Sequence, residues 1–455
     1  MRNILIIGAG KSCSYLIDYL QKKASSENLQ ITVADISLEN AQKSVGNHSN
    51  SKAIQFDVFN EEQRINEIQK ADIVVSMLPA RFHIEVAKNC IEFEKHMVTA
   101  SYVSDEMKKL DTLAKEKGLV FMNEIGLDPG IDHMSAMDVI HRISDQGAKI
   151  LLFESFTGGL VAPESDNNLW NYKFTWNPRN VVLAGQGGAA MFIQEGTYKY
   201  IPYHKLFRRT EFLTLGDQKF EAYANRDSLK YRSIYGLEKI STMYRGTIRK
   251  VGFSRAWNIF VQLGMTDDSY TIEGSEQMSY RDFVNLFLAY SPNDSVELKL
   301  RSYLKIDQDD IMWDKLVELD IFSSTKKVGL VNATPAQILQ KILSDSWTLE
   351  EDDKDMIVMH HIFGYEMNGE KHQIESSLMV KGENQTYTAM AKTVGLPVAI
   401  ATLKILNKEI TTPGVQIPIT KEVYGPILKE LEDYGITFVE RKVPYLGYNP
   451  ENVNG

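Results

Sequence analysis

Cysteine is nearly absent from this chain: Cys13 and Cys90 are the only two among 455 residues. Two thiols cannot build a disulfide framework or a four-thiolate zinc site. Long apolar runs are also missing from the sequence pattern, and none approaches the roughly 20 residues that span a bilayer. The first apolar run, residues 4–7, is short and enters a glycine turn, which is not the pattern of a secretory signal. There is no long basic stripe. The net charge of −10 is spread along the chain, so nucleic acid and an anionic membrane surface are poor partners. Internal repeats and low-complexity segments are lacking. His360 and His361 are adjacent and would face opposite sides of a strand, which makes a poor metal pair, and no metal is expected. What remains is a globular protein expected in the cytoplasm. It is too long for one ordinary core, so two or three domains are expected. A homodimer is the assembly to test.

What the chain does have, at its N-terminus, is regular alternation. Residues 3–7 form a continuous apolar run, followed by Gly8-Ala9-Gly10 and a helix-like segment with Tyr15, Leu16, Tyr19 and Leu20 on one face. A β-branched run ends at Asp35, further candidate strands end at Asp57 and at Leu78-Pro79, and a helix pattern covers residues 84–93. Strand signals then recur at 96–100 and 119–122. Strands alternating with helices at this spacing predict βαβ units and a parallel sheet. Such sheets bind ligands at the carboxyl ends of their strands, which places Gly8, Asp35, Asp57, Leu78, Ser101 and Glu124 along one edge. Beyond residue 131 the texture changes. Residues 150–271 predict an α+β domain with a mostly antiparallel sheet, 279–350 read as helical, and 355–382 return to strand. Residues 386–406 predict one helix, and Pro397 at its middle should kink or restart it.

The glycine loop carries the first chemistry. Gly8 makes a tight turn, Gly10 lets backbone approach a pyrophosphate, and Lys11, Ser12 and Cys13 open the helix whose amide donors would hold that anion. Cysteine stands where the third glycine of G-x-G-x-x-G would be, small enough for close packing. The loop alone is a weak signal. With a strand before it, a helix after it and an acid at the end of the second strand, it is strong. Asp35 is placed to accept hydrogen bonds from an adenosine ribose and to repel a 2′-phosphate. Ile36 and Ser37, not arginine, follow it, so NAD is expected over NADP.

Beyond the loop the sequence resembles the glutamate-forming saccharopine dehydrogenases, also called saccharopine reductases. The blocks that carry this are Met77-Leu78-Pro79-Ala80 with His83; KHMVTASYVSDEM at 95–107; GLDPGIDHMSAMDVI at 126–140; GGLVAPESDNNLWNYKFTWNP at 158–178; YANRDSLKY at 223–231; and YRGTIRKVGF at 244–253. The last third matches more loosely. The resemblance implies an α/β protein in three parts. An N-terminal Rossmann domain occupies residues 1–131, with the chain end from about 390–455 returning to it. An α+β substrate domain covers 132–278 and 351–389, and a small helical insertion covers 279–350. It also implies the reaction: glutamate and 2-aminoadipate 6-semialdehyde condense to an imine, which hydride from a nicotinamide reduces to saccharopine. Two departures stand out. Thr157 precedes the Gly-Gly-Leu where the family usually has cysteine, and Leu169 follows the paired asparagines where proline is common.

Saccharopine carries three carboxylates, and arginine suits planar carboxylates because its donors form a rigid fork. Arg226 and Arg245 are therefore the expected anchors, with Gly246 and Thr247 adding backbone and hydroxyl bonds and Lys173 as a further candidate. Asp128, before Pro129-Gly130, and Tyr102, beside Ser101, are the candidates closest to the reacting amine. Asp132 is expected to cap the following helix. Asp57, Leu78, Pro79, Ala100 and Leu127 complete the expected cofactor contacts. The alternatives are an imine reductase of the carboxynorspermidine synthase type, whose cationic substrate would want acids where this chain has arginines, and a non-catalytic NAD-bound sensor.

Overall fold

Uninterrupted apolar runs become central strands, because a parallel sheet is covered on both faces. The computed structural model describes residues 1–454. The chain divides into two units, one built from Met1–Lys149 with Leu378–Val439, the other from Ile150–Ser377 with the segment that starts at Glu440.

The first unit holds β1 (Arg2–Ile7), β2 (Leu29–Asp35), β3 (Ser51–Gln55), β4 (Ile73–Ser76), β5 (His96–Val98) and β6 (Val120–Met122). With the strand Gly414–Gln416 they form a seven-stranded sheet in the order Gly414–Gln416, β6, β5, β4, β1, β2, β3, with every pairing parallel. From β1 the chain winds outward through β2 and β3 on one side, then returns to β4 and winds the other way. The gap between β1 and β4 is thus the topological switch point, where such sheets bind ligands. All four residues of β4 and the last four of β1 are buried. The helix Ala389–Leu406 packs against the helix Ser14–Lys23. It runs through Pro397 without interruption, so the expected restart is absent. Proline removes one helix hydrogen bond, and burial of nearly the whole helix outweighs that loss. This helix is long and apolar enough to cross a membrane by length and composition, but 78% of that stretch is buried within the protein, as for a core helix.

Two boundaries differ from the sequence expectation. The helix Ile131–Ser144 belongs to the first unit, where His141 Nδ1 meets the Tyr424 hydroxyl at 2.9 Å. The chain end does not stay there. Val439–Val443 and Val453–Asn454 join the second unit's sheet, the latter pairing with residues 210–211. Neither pairing has a local signature, because Val439–Val443 is almost wholly exposed and the last strand is two residues long.

The second unit contains β7 (Lys149–Val161), β8 (Ala190–Gln194), β9 (Thr197–Ile201), β10 (Thr210–Leu215), β11 (Gln218–Ala224), β12 (Thr242–Lys250), β13 (Asp355–Met367) and β14 (Glu370–Lys381). The sheet order is Val439–Val443, β14, β13, β7, β12, β11, β10, Val453–Asn454, with β8 and β9 branching from β12. The pairs β10–β11, β11–β12 and β8–β9 are antiparallel, while β7 and β12 run parallel. Residues 279–350 are helical, and capping boxes at Ser279–Asp282 and Thr334–Gln337 start two of the helices. These helices do not enclose a core of their own. Trp347, at the end of the helix Pro335–Trp347, stacks among Trp170, Tyr172, Phe253 and Trp257 at ring distances of 5.2–6.2 Å, so helices and sheet share one aromatic core.

Candidate active site

The glycine loop follows β1 directly. Gly8 has φ of +105°, and a side chain there would meet the Met77 carbonyl oxygen at 2.9 Å, so both conformation and space require glycine. Nothing lies within 4 Å of where a Cβ on Gly10 would stand, which leaves the backbone open to an approaching phosphate. Lys11 is exposed and Ser12 half-buried. Cys13 is buried, its thiol donates to the Gly8 carbonyl at 3.4 Å, and burial pushes its pKa up to about 12. It packs the turn, as its small size suggested.

Asp35, at the end of β2, does two things. One oxygen accepts the Ala9 N–H at 2.8 Å and the other the Ser37 N–H at 2.9 Å, which ties the glycine loop to the second strand. A carboxylate has roughly four acceptor positions, so acceptors remain for ribose hydroxyls. Ile36, beside it, is 64% exposed and offers no charge. Asp57 lies exposed just past β3 and accepts the Phe59 N–H at 2.9 Å. Leu78 is half-buried and Pro79 exposed past β4, Ala100 is half-buried past β5, and Leu127 is buried past β6. Open backbone at Gly10 and spare acceptors on Asp35 fit the pyrophosphate and ribose of a dinucleotide.

Next along the same edge, the segment 99–103 is held from behind. The Ser101 N–H donates to Thr99 Oγ1 at 3.2 Å, and its carbonyl accepts the Glu124 N–H at 3.0 Å. The buried Glu124 carboxylate accepts the Val103 N–H at 3.0 Å and meets His133 Nε2 at 2.9 Å. Glu124 therefore supports this loop from inside, although the sequence placed it on the ligand-binding edge. Tyr102 is 47% exposed, and its hydroxyl lies 3.3 Å from Asp128 Oδ1. Asp128 enters a turn closed by Gly130, whose φ of +150° and contact with Gly126 leave no room for a side chain. The structure thus brings Tyr102, next to Ser101 in the chain, against Asp128. Asp132 caps differently from expectation: the helix begins after Gly130, and Asp132 accepts the Gly130 N–H at 2.6 Å from within the first turn. Sequence reasoning assigned no role to His83, whose ring joins Ser76 to Ser101; only its place in the motif after Pro79 pointed to it.

In the second unit, β12 carries Arg245, Gly246 and Thr247 in register with Ser155, Phe156 and Thr157 of β7. Arg245 is buried, with its guanidinium 4.9 Å from the centre of the Tyr231 ring. A side chain on Gly246 would press on Phe156 and Tyr244 at 3.0 Å. The Thr247 hydroxyl donates to Asn225 at 2.8 Å. Thr157, at the usual cysteine position, is buried and its hydroxyl has no protein partner. Arg226, just past β11, is exposed and donates to the Gln186 carbonyl at 2.8 Å. Asp227, next to it in the chain, accepts the Leu229 and Lys230 amides in a turn. Among the described residues no carboxylate pairs with Arg226, so its charge is available to a ligand.

Lys173 does not join them. It is buried and paired with the buried Asp353 at 2.6 Å, so its charge is committed 180 residues along the chain. His360 and His361 point to different partners, Ser377 at 2.8 Å and the Phe153 ring. Among the described residues no group of three or more histidine, cysteine, aspartate or glutamate side chains could hold a metal ion.

Comparison with known proteins agrees with this geometry. The family description "Saccharopine dehydrogenase NADP binding domain" matches residues 4–122, and "Saccharopine dehydrogenase C-terminal domain" matches 126–436. The chain is 32% identical over 450 residues to "Saccharopine dehydrogenase [NADP(+), L-glutamate-forming]" of Saccharomyces cerevisiae, covering 97% of this chain and 99% of that one. It is 32% identical over 448 residues to "Alpha-aminoadipic semialdehyde synthase, mitochondrial" of Rattus norvegicus, covering 96% of this chain and 47% of the longer one. A solved structure of apo, L-Glu-forming saccharopine dehydrogenase from Saccharomyces cerevisiae superposes with a TM-score of 0.88 at 31% identity, covering 97% of this chain and 100% of that one.

Proposed function

The chain belongs to the saccharopine dehydrogenase family, and from that premise we propose that it interconverts saccharopine with L-glutamate and 2-aminoadipate 6-semialdehyde in lysine metabolism. It is an NAD(P)-dependent oxidoreductase acting on a CH–NH bond. In the direction that consumes saccharopine, a hydride leaves carbon, the secondary amine loses a proton, and water adds to the resulting imine to release the two products.

The nicotinamide dinucleotide supplies the hydride acceptor, and the glycine loop with Asp35 would hold it. The protein's own contribution is position and charge. Ser101, Tyr102 and Asp128 form one polar group at the carboxyl edge of the first sheet, where the amine nitrogen has both hydroxyl and carboxylate partners. The Asp128 carboxylate stabilises the protonated amine before reaction. Tyr102 orients that carboxylate through their contact at 3.3 Å. Arg226 supplies fixed positive charge for a substrate carboxylate, while Arg245 and Thr247 share one face of β12, with Gly246 between them on the other. Lys173 is left out because Asp353 neutralises it.

The observation that carries this reading is the convergence of Ser101, Tyr102 and Asp128 on the edge that also holds the glycine loop and Asp35. The cofactor we propose is NAD, although the NADP-named relatives use the phosphorylated form in their printed names. Asp35 faces the ribose position with its charge, and Ile36 offers no partner for a 2′-phosphate. A cytoplasmic location and a homodimeric assembly remain part of the proposal; the buried thiols Cys13 and Cys90 suit a reducing compartment.

The test is the appearance of reduced cofactor at 340 nm with saccharopine, using NAD and NADP in turn, and with carboxynorspermidine as the competing substrate. Turnover of saccharopine is expected. Preference for carboxynorspermidine moves the protein to the polyamine reductases, and cofactor binding without turnover of either makes it a sensor.

A further inference from the structure

His83 stands at the start of the helix His83–Glu92, buried between the ends of β4 and β5. Its Nδ1 meets the Ser76 hydroxyl at 2.8 Å, and its Nε2 meets the Ser101 hydroxyl at 2.7 Å and that of Thr99 at 3.3 Å. Ser76 is the last residue of β4 and fully buried; Ser101 is half-buried on the ligand-binding edge. The ring thus links a fixed hydroxyl in the sheet to a hydroxyl at the proposed reaction site. We propose that His83 is the positioning residue for substrate binding, holding the Ser101 hydroxyl in the rotamer that meets saccharopine. This rests on the function proposed above and adds a residue to it.

Three features favour positioning over a proton relay. The chain of hydroxyls ends at Ser76, which is fully buried, so it offers no exit to water. Burial lowers the pKa of His83 to about 4, so the ring is neutral at physiological pH and a weak base. The backbone of Ser101 is already fixed by Thr99 and Glu124, which leaves the side-chain torsion as the one freedom that His83 removes. A serine hydroxyl otherwise samples three rotamers. Thr99 Oγ1 accepts the Ser101 N–H and meets the His83 ring at 3.3 Å, so it serves the backbone of Ser101.

The experiment is a double-mutant cycle on the full-length enzyme, with kcat/KM for saccharopine, cofactor Kd by fluorescence and Tm read for each variant. His83→Ala and Ser101→Ala are each expected to lower kcat/KM about tenfold, as for loss of one oriented hydrogen bond. The double variant should be no worse than Ser101→Ala alone, with cofactor Kd unchanged. His83→Gln, which keeps an amide near the Nε2 position, should restore most of the loss. Should His83→Ala fail to fold, Ser76→Ala loosens the ring from its other side by a minimal change. Its smaller loss should vanish in the Ser101→Ala background. Losses that multiply in the double variant, or that act equally with and without the Ser101 hydroxyl, overturn the role of His83. Absence of saccharopine turnover by the natural enzyme overturns the premise itself, and this control separates the two failures.

Discussion

The Ala9 amide donates to Asp35 Oδ2 at 2.8 Å, so the residue that should select the cofactor also fixes the loop that binds it. A substitution at Asp35 therefore has two separable effects. Replacing Asp35 with Ser and Ile36 with Arg should raise the ratio of kcat/KM for NADP over NAD by at least about tenfold, since it removes a like charge and adds a phosphate partner. It should also weaken binding of both dinucleotides, because the loop loses its tether. Steady-state kinetics with each cofactor check the first effect and Kd values the second. A natural enzyme that already uses NADP tenfold better than NAD contradicts the assignment of Asp35.

Among the described residues no carboxylate pairs with Arg226. Arg226→Ala should raise KM for saccharopine about ten- to hundredfold, the scale of a charge-assisted hydrogen bond. Tm and cofactor Kd should hardly move. An unchanged KM removes Arg226 from the substrate site.

Lys173 should behave in the opposite way. Leaving Asp353 buried without its partner costs about 3–5 kcal/mol. Lys173→Met should lower Tm markedly while KM for saccharopine in the folded fraction stays near the natural value. Pairing it with Asp353→Asn should recover part of the Tm. A large KM effect at unchanged Tm returns Lys173 to the substrate.

The two thiols should be inert. Burial raises the pKa of Cys13 to about 12 and raises that of Cys90 as well. Neither is a thiolate near neutral pH, and the thiolate is the nucleophile. Native enzyme at pH 8 should resist alkylation until denaturant is added, as read by mass spectrometry, and Cys90→Ala should keep its kcat.

Stability should fall as pH rises from about 4.5 to about 7 because of the buried carboxyl of Glu211. Burial raises Glu211 to about 7, and Glu154 is raised by burial together with the charge of Glu211. The folded state then holds protons that the unfolded chain releases above its ordinary carboxylate pKa. The stabilisation is complete below about pH 4.5 and is lost as pH rises through about 7. Glu211→Gln should flatten that part of the Tm–pH curve. His83 and His360, both lowered to about 4, act in the other direction, losing stability as pH falls. The difference between the natural and variant curves isolates Glu211, and an unaltered slope rules it out.

The sequence alone determined whatever depends on near neighbours. The turn at Gly8, the packing role of Cys13, the acid ending β2 and the alternation of strand and helix are all readable within about thirty residues, the scale of one βαβ unit. So is the place of Ser101 on the ligand-binding edge, because parallel strands put their carboxyl ends on one edge. The longer motifs added the family and the substrate. Tertiary structure decided what depends on partners far apart in the chain. Lys173 read equally as a substrate ligand or as a loop anchor, and the fold set Asp353 beside it; nothing in local spacing links positions 180 residues apart. Arg226 kept its charge because Asp227 turned to backbone amides. His83 gained a role only when the sheet set Ser76 and Ser101 at its two nitrogens. The chain end went to the second sheet by backbone pairing, which carries no side-chain pattern. Periodicity reports which face of an element is apolar; which group meets a buried charge is settled only when the elements pack.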